Sequence, residues 1–349
     1  MVGNLLALLY LPAAVFSYSG PFSILLAIVT IASGASLSRF RFSKALVYAF
    51  IVSLPVYLLY GVVSDTLLLS PVGFISVAAL MPMVVVRFGN SNYVSRAILV
   101  FALVFVVLAY DPPTMSFFGR FLDRNIVALA ILPIVLWISR SSWLGIMAAI
   151  SLAYWTNSRN LMLAVLVELL LRNSALISNI YSRNPFYVSL FVSTMSVAVF
   201  AVLGLYAAVI PFESGRGNYV QILDESNLQR SVAMIQAIEF LSKHPSVMLF
   251  GGGWQDYSLA VVTRAHSDYV QLTVKYGFIP VVYFLYLVSF SYRKAKVPAS
   301  VFVSLLTFSG ILGGIGWGAG VYWLSLCALI WNRSPGASPQ RVSTIPSVQ

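Results

Sequence analysis

Apolar residues run along this chain in blocks separated by short polar joints. The blocks lie at roughly 4–18, 21–37, 45–63, 72–86, 97–110, 126–138, 143–155, 161–171, 186–210 and 276–292. The longer ones match the roughly 20 residues of a membrane-spanning helix, and the shorter ones approach it with flanking residues. Residues 297–331 exceed one helix, and Gly313, Gly314, Gly316 and Gly318 at their centre predict a tight hairpin between two spans. The pattern predicts an all-α polytopic membrane protein of about twelve transmembrane helices. Nine fall within residues 1–210 and three within 276–331, followed by a tail at 332–349. The first block, Asn4 to Tyr18, has no basic leader and no small-residue cleavage site, so it is expected to be retained as a span.

One long interruption, residues 211–275, breaks the pattern and predicts a single large loop. Within it, "SNLQRSVAMIQAIEFLSKHP" places Leu228, Val232, Ile235 and Ile238 at helical spacing. This predicts an amphipathic helix lying on the membrane surface or over the bundle mouth. Ser226 with Gln229 suggests a capping box, and Pro245 a stop. Gly251 to Gly253 follow, either as a flexible connector or as a point of close backbone approach. Beyond them, His266, Val270, Val274 and Phe278 share a helical face as the chain re-enters the membrane.

Composition and charge sharpen this picture. Sixty per cent hydrophobic residues, nine per cent charged and a mean hydropathy of +0.90 exclude a soluble domain of 349 residues, which would have to expose large apolar patches to water. A net charge of +11 would point to nucleic acid in a soluble protein; here it reads as topology, and no nucleic-acid partner is expected. With the N-terminus in the cytoplasm, Arg39, Arg41, Lys44, Arg87, Arg96, Arg140, Arg172, Arg183, Arg293, Lys294, Lys296, Arg333 and Arg341 all face inward. That is thirteen of the twenty-one basic residues, a strong positive-inside bias. Both termini are then cytoplasmic. Residues 211–275, the joint at Arg159 and the loop from Asp111 to Asn125 share the opposite side, where they can form one site. No GxxxxGK[ST] phosphate cradle occurs. Cys327, the single cysteine, lies in a late apolar block, which excludes an internal disulfide and predicts a small buried hydrophobe.

The loop at 211–275 holds six of the ten acidic residues, five of the twenty-one basic ones and both histidines. Taken alone, His266 at the membrane surface fits either a structural histidine or a catalytic base, and His244, next to Pro245, fits a helix end. Arg159 at the extracytoplasmic boundary runs against the charge bias and fits either lipid phosphate or a substrate. Glu168 falls inside a span, where a carboxylate is costly, and Arg172 one turn on is its expected partner.

Three stretches together resemble the O-antigen ligase and polysaccharide polymerase family of bacterial membrane glycosyltransferases. "TNSRNLMLAVL" is similar to its Ser-Arg motif at the start of a span. "RSVAMIQAIEFLSKHPSVMLFGGG" is similar to its pattern of arginine, amphipathic helix, proline and Gly-x-Gly turn. "HSDYVQLTVKYGFIPVVYFL" is similar to its histidine motif leading into a glycine and the next span. The match covers about residues 150 to 295; one departure is Ser267, where family members often carry Asn.

The resemblance implies a multi-pass protein of the bacterial inner membrane with a periplasmic active site. It implies glycan transfer from an undecaprenyl-diphosphate carrier to a sugar hydroxyl, with inversion and without metal, nucleotide or other cofactor. The acceptor is another lipid-linked glycan for a polymerase, slightly favoured here, or a lipid A core sugar for a ligase. Arg159 and Arg230 then bind the diphosphate leaving group with bidentate donors. His266 is the base, kept neutral by neighbouring arginines. Arg264, Asp268 and Asp256 are accessory candidates. A lipid-linked glycan transporter is the alternative of another class; it would favour ionisable groups at mid-membrane and internal repeats. This chain shows no repeat and has Glu168 as its only clear mid-span charge.

Overall fold

The computed structural model describes residues 124–156, 158–209, 225–251, 267–312, 323–324, 326–328 and 330–331. The five blocks expected before residue 124 and the glycine hairpin at 313–318 lie outside these residues. The described chain forms helices α1 (Arg124–Ser139), α2 (Trp143–Trp155), α3 (Arg159–Leu171), α4 (Ala175–Arg183) and α5 (Pro185–Val209). It continues with α6 (Glu225–Lys243), α7 (Pro245–Phe250), α8 (Asp268–Tyr276), α9 (Phe278–Lys294) and α10 (Ala299–Leu312). Serines set the starts of α2, α3 and α4. The hydroxyls of Ser142, Ser158 and Ser174 accept from the amides of Gly145, Leu161 and Ile177, satisfying one orphan donor each.

The core is built from large apolar side chains of α1, α9 and α10, among them Leu132, Phe284, Phe302 and Phe308, but α2 and α5 turn small residues inward and large apolar ones outward. On α2 the inward residues are Gly145, Ala149 and Ala153, while Trp143 and Leu144 are 71% and 78% exposed. On α5, Ser189 and Ser193 are buried, whereas Phe191, Met195 and Val199 face outward. Small and hydroxylated residues bring α5 close to its neighbours: the Ser189 and Ser289 hydroxyls join α5 to α9, and Gly310 of α10 lies against the Ser196 side chain of α5. Large apolar residues cover the outside.

Among the described residues no single helix is long and apolar enough to cross a membrane. The pair α3 and α4 passes that test together, with a bend of 95° between them. Helix α5 carries no charged residue along its 25 positions. Helices α2 and α3, 13 residues each, are about 20 Å long, short of the roughly 30 Å hydrocarbon core that the blocks at 143–155 and 161–171 were expected to cross.

Helix α10 is the hub, packing against α1, α3, α4, α5 and α8. Ser300, near its start, touches Glu168, near the end of α3, and these two helices share the most extensive contact of the described fold. They therefore run antiparallel. At the same end, Tyr181 of α4 and Tyr292 of α9 both pack on Phe302, and Arg293 donates to the Arg183 carbonyl at 3.2 Å. Arg140, Arg172, Arg183 and Arg293 are thereby gathered at one end of the bundle. About 15 Å further along α10, Gly310 meets Tyr269, whose hydroxyl donates to the Leu306 carbonyl at 2.8 Å.

Two expectations change. Helix α6 forms as predicted, but the residues it buries are Ala233, Met234, Ala237, Phe240 and Leu241, while Val232 and Ile238 are exposed. The true inner face is set by packing against α5 and α8, and it is richer in alanine than the strip chosen on hydrophobicity alone. Ser226 lies inside α6, one residue past its start, instead of capping it. Pro245 marks the stop of α6 as expected, since α6 ends at Lys243 and the chain breaks at His244; Pro245 then opens α7, as its fixed φ and missing N–H allow. His244 stacks on Phe240 at 4.5 Å, with Nδ1 2.9 Å from the Phe240 carbonyl, which fits a helix end.

Candidate functional site

Arg159 is the first residue of α3, exposed, and held in register by the Ser158 cap immediately before it. Because α3 and α10 are antiparallel, this start lies toward the Leu312 end of α10, about 14 Å along α3 from Glu168. The start of α8 reaches the same end of α10 through Tyr269. Asp268 opens α8, and Ser267 is its N-cap residue. His266, Arg264 and Asp256 lie outside the described residues. The chain segment leaving His266 is nonetheless fixed: Ser267 is 1% exposed and Tyr269 5% exposed.

Position 230 lies in the first half of α6, four residues before Met234 and seven before Ala237. Met234 and Ala237, further along α6, pack against Val270 and Val274 of α8. The described fold therefore brings the helix carrying position 230 against the helix that follows His266, and joins both, through α10, to the helix that begins at Arg159. These are the three elements that the sequence motifs single out.

The glycines of the second and third motifs have a concrete task. Gly251 (φ 81°) and Gly277 (φ 89°) are both left-handed and sit back to back where the end of α7 crosses the α8–α9 junction. A Cβ on Gly277 would stand 2.7 Å from the Gly251 nitrogen, and one on Gly251 would stand 2.6 Å from the Gly277 nitrogen. Gly251 is thus a point of close approach and not a flexible connector. The crossing fixes α7, and with it the end of α6, against α8.

Sequence reasoning passed over one feature of this region. The Ser267 hydroxyl, next to His266, caps nothing and has no hydrogen-bond partner among the described residues. A buried hydroxyl in that state is uncommon. Only its departure from the family's usual Asn marked it in the sequence.

A second charge cluster lies at the other end. Glu168, fully buried, receives Arg140 Nη1 at 2.8 Å and Arg172 Nη2 at 2.9 Å, with Ser139 Oγ at 3.3 Å. Arg140 Nη1 also donates to Ser300 Oγ at 2.9 Å, and Arg172 Nη2 to the Ser139 carbonyl at 2.6 Å. The carboxylate binds α1, α3 and α10 together. Arg172 was the expected partner; Arg140 was not foreseen. Cys327 is fully buried, as a small hydrophobe. Among the described residues no group of His, Cys, Asp or Glu is arranged to hold a metal ion.

No family model, curated protein or solved structure matches this chain.

Proposed function

We propose that the chain is a membrane glycosyltransferase that moves a glycan from an undecaprenyl-diphosphate carrier to a sugar hydroxyl, as an O-antigen or surface-polysaccharide polymerase or ligase. The observation that carries the reading is the shared location of the motif-bearing elements. The start of α3 at Arg159 and the start of α8 just after His266 both lie at the Leu312 end of α10, with α6, the helix that carries position 230, packed on α8. A membrane setting is supported by the large apolar side chains left exposed along α2, α3 and α5, among them Trp143, Leu144, Leu170 and Phe191. It is supported too by α5, whose 25 uncharged residues extend about 37 Å. Grouping Arg140, Arg172, Arg183 and Arg293 at the opposite end fits a cytoplasmic face there and a periplasmic site at the other.

The chemistry is a single displacement. The acceptor oxygen attacks the anomeric carbon from the face opposite the diphosphate, the bond to the phosphate oxygen breaks, and the configuration inverts. His266 accepts the acceptor's proton as its oxygen becomes bonded. Undecaprenyl diphosphate leaves with the negative charge, which Arg159 and Arg230 stabilise with paired N–H donors. Asp268 and Asp256 are the candidates for orienting the base or binding the acceptor sugars, and Arg264 is a further accessory candidate.

Purified chain in a bilayer, given a lipid-diphosphate-linked glycan and candidate acceptors, should build products. A ladder of increasing length marks a polymerase, and a single addition to a lipid A core sugar marks a ligase. Arg230→Lys keeps the charge but loses the planar fork, so turnover should fall at least about tenfold, roughly 1.4 kcal/mol of barrier. Unchanged turnover would remove Arg230 from the diphosphate site.

A further inference from the structure

At the end of the bundle away from Arg159, we infer a seat for an anionic phospholipid headgroup, built by Arg140, Arg172 and the elbow into α4. Glu168 neutralises only one of the two guanidinium groups, so the cluster keeps one net positive charge. Both arginine side chains stay partly open, at 28% and 22%, while the carboxylate that orients them is fully buried. Arg140 spends only Nη1 on its partners, and Arg172 only Nε and Nη2. Nε and Nη2 of Arg140 and Nη1 of Arg172 make no hydrogen bond among the described residues. Donors held in place with net positive charge suit a phosphodiester oxygen.

The elbow supplies the apolar half of the seat. Helix α4 turns 95° from α3, so it runs across the bundle end instead of along it. One flank, Tyr181, packs into the core on Phe302; another presents Leu176, 68% exposed, and Ile180 one turn on, 37% exposed. Leu176 follows Arg172 by four residues, and Arg183, the last residue of α4, and Arg293 beside it carry positive charge at the other end of that helix. A helix lying in the interface, with an apolar strip and cations at its ends, fits acyl chains below and anionic headgroups beside them. Phosphatidylglycerol in the adjoining leaflet is the occupant. The inference rests on the membrane setting proposed above and not on the transfer chemistry.

The test uses the full chain in neutral detergent, with unfolding followed by a thiol-reactive dye at the buried Cys327. Adding phosphatidylglycerol should raise Tm by roughly 5 °C, and phosphatidylcholine should raise it by less than half as much. Leu176→Gln combined with Ile180→Gln changes only exposed side chains, so Tm in detergent alone should hold while the phosphatidylglycerol increment drops by roughly half or more. Arg172→Gln should lower the increment too. Equal shifts with both lipids, or a full increment in the exposed double variant, would overturn the seat. So would a full increment from inorganic phosphate alone. Recovery of the chain from cells in the aqueous fraction without detergent would instead overturn the membrane setting itself.

Discussion

Without its carboxylate, Glu168 would leave Arg140 and Arg172 side by side, half desolvated and lacking their shared counter-charge. Glu168→Ala should therefore destabilise the fold by about 3–5 kcal/mol, whereas replacing the whole group with packed apolar residues would cost far less. Onset of Cys327 labelling during heating reads this directly; an unchanged midpoint would mean that the pairs contribute little. Arg172 was legible because four residues along a helix bring two side chains together. Arg140 and Ser300 were not, because they stand 28 and 132 residues from Glu168 and meet it only once α1, α3 and α10 pack. Residues of the candidate site divide the same way. Their chemical types and order could be read in the chain; which of the helices next to them pack on one another could not.

Helix boundaries followed closely from hydrophobic blocks and caps. The blocks at 126–138, 143–155, 161–171 and 186–210 correspond to α1, α2, α3 and α5 to within two residues. Faces were harder. On α6 nearly every side is apolar, so the strongest strip did not identify the packed one, and Ala233 and Ala237 won because small residues allow α5 and α8 to come near. Helix α4 was read as a joint because it has only nine residues, with Arg172 shortly before it and Arg183 at its end, too short a stretch to signal a span. Glycine at 277 and 251 was legible as a turn signal, but its purpose came from the crossing. Gly277→Ala should cost about 2 kcal/mol or more, from the left-handed φ together with the overlap with Gly251. Loss of transfer activity should accompany it, since α7 and α8 would be pushed apart. A variant as heat-resistant as the parent would show that the crossing is looser than drawn.

Viewed whole, the described bundle has two chemically different ends separated by the length of α10. One gathers Arg140, Arg172, Arg183 and Arg293; the other gathers the start of α3 and the start of α8. Charge bias along the sequence had assigned the same residues to opposite sides of a membrane, so the two lines of reasoning agree on the grouping. With Cys327 replaced by Ala, a single Cys at Ser174 should react with a membrane-impermeant reagent only from the cytoplasmic side, and one at Asn160 only from the outer side. Labelling of both from one side would break the topology. The central claim is that the outer end performs glycosyl transfer with His266 as base, and the most direct measurement is release of undecaprenyl diphosphate from a lipid-linked glycan by purified protein in vesicles. The expected result is release by the parent that depends on an acceptor and falls by about 100-fold or more in His266→Ala at equal protein level. Equal release by the parent and His266→Ala would contradict it.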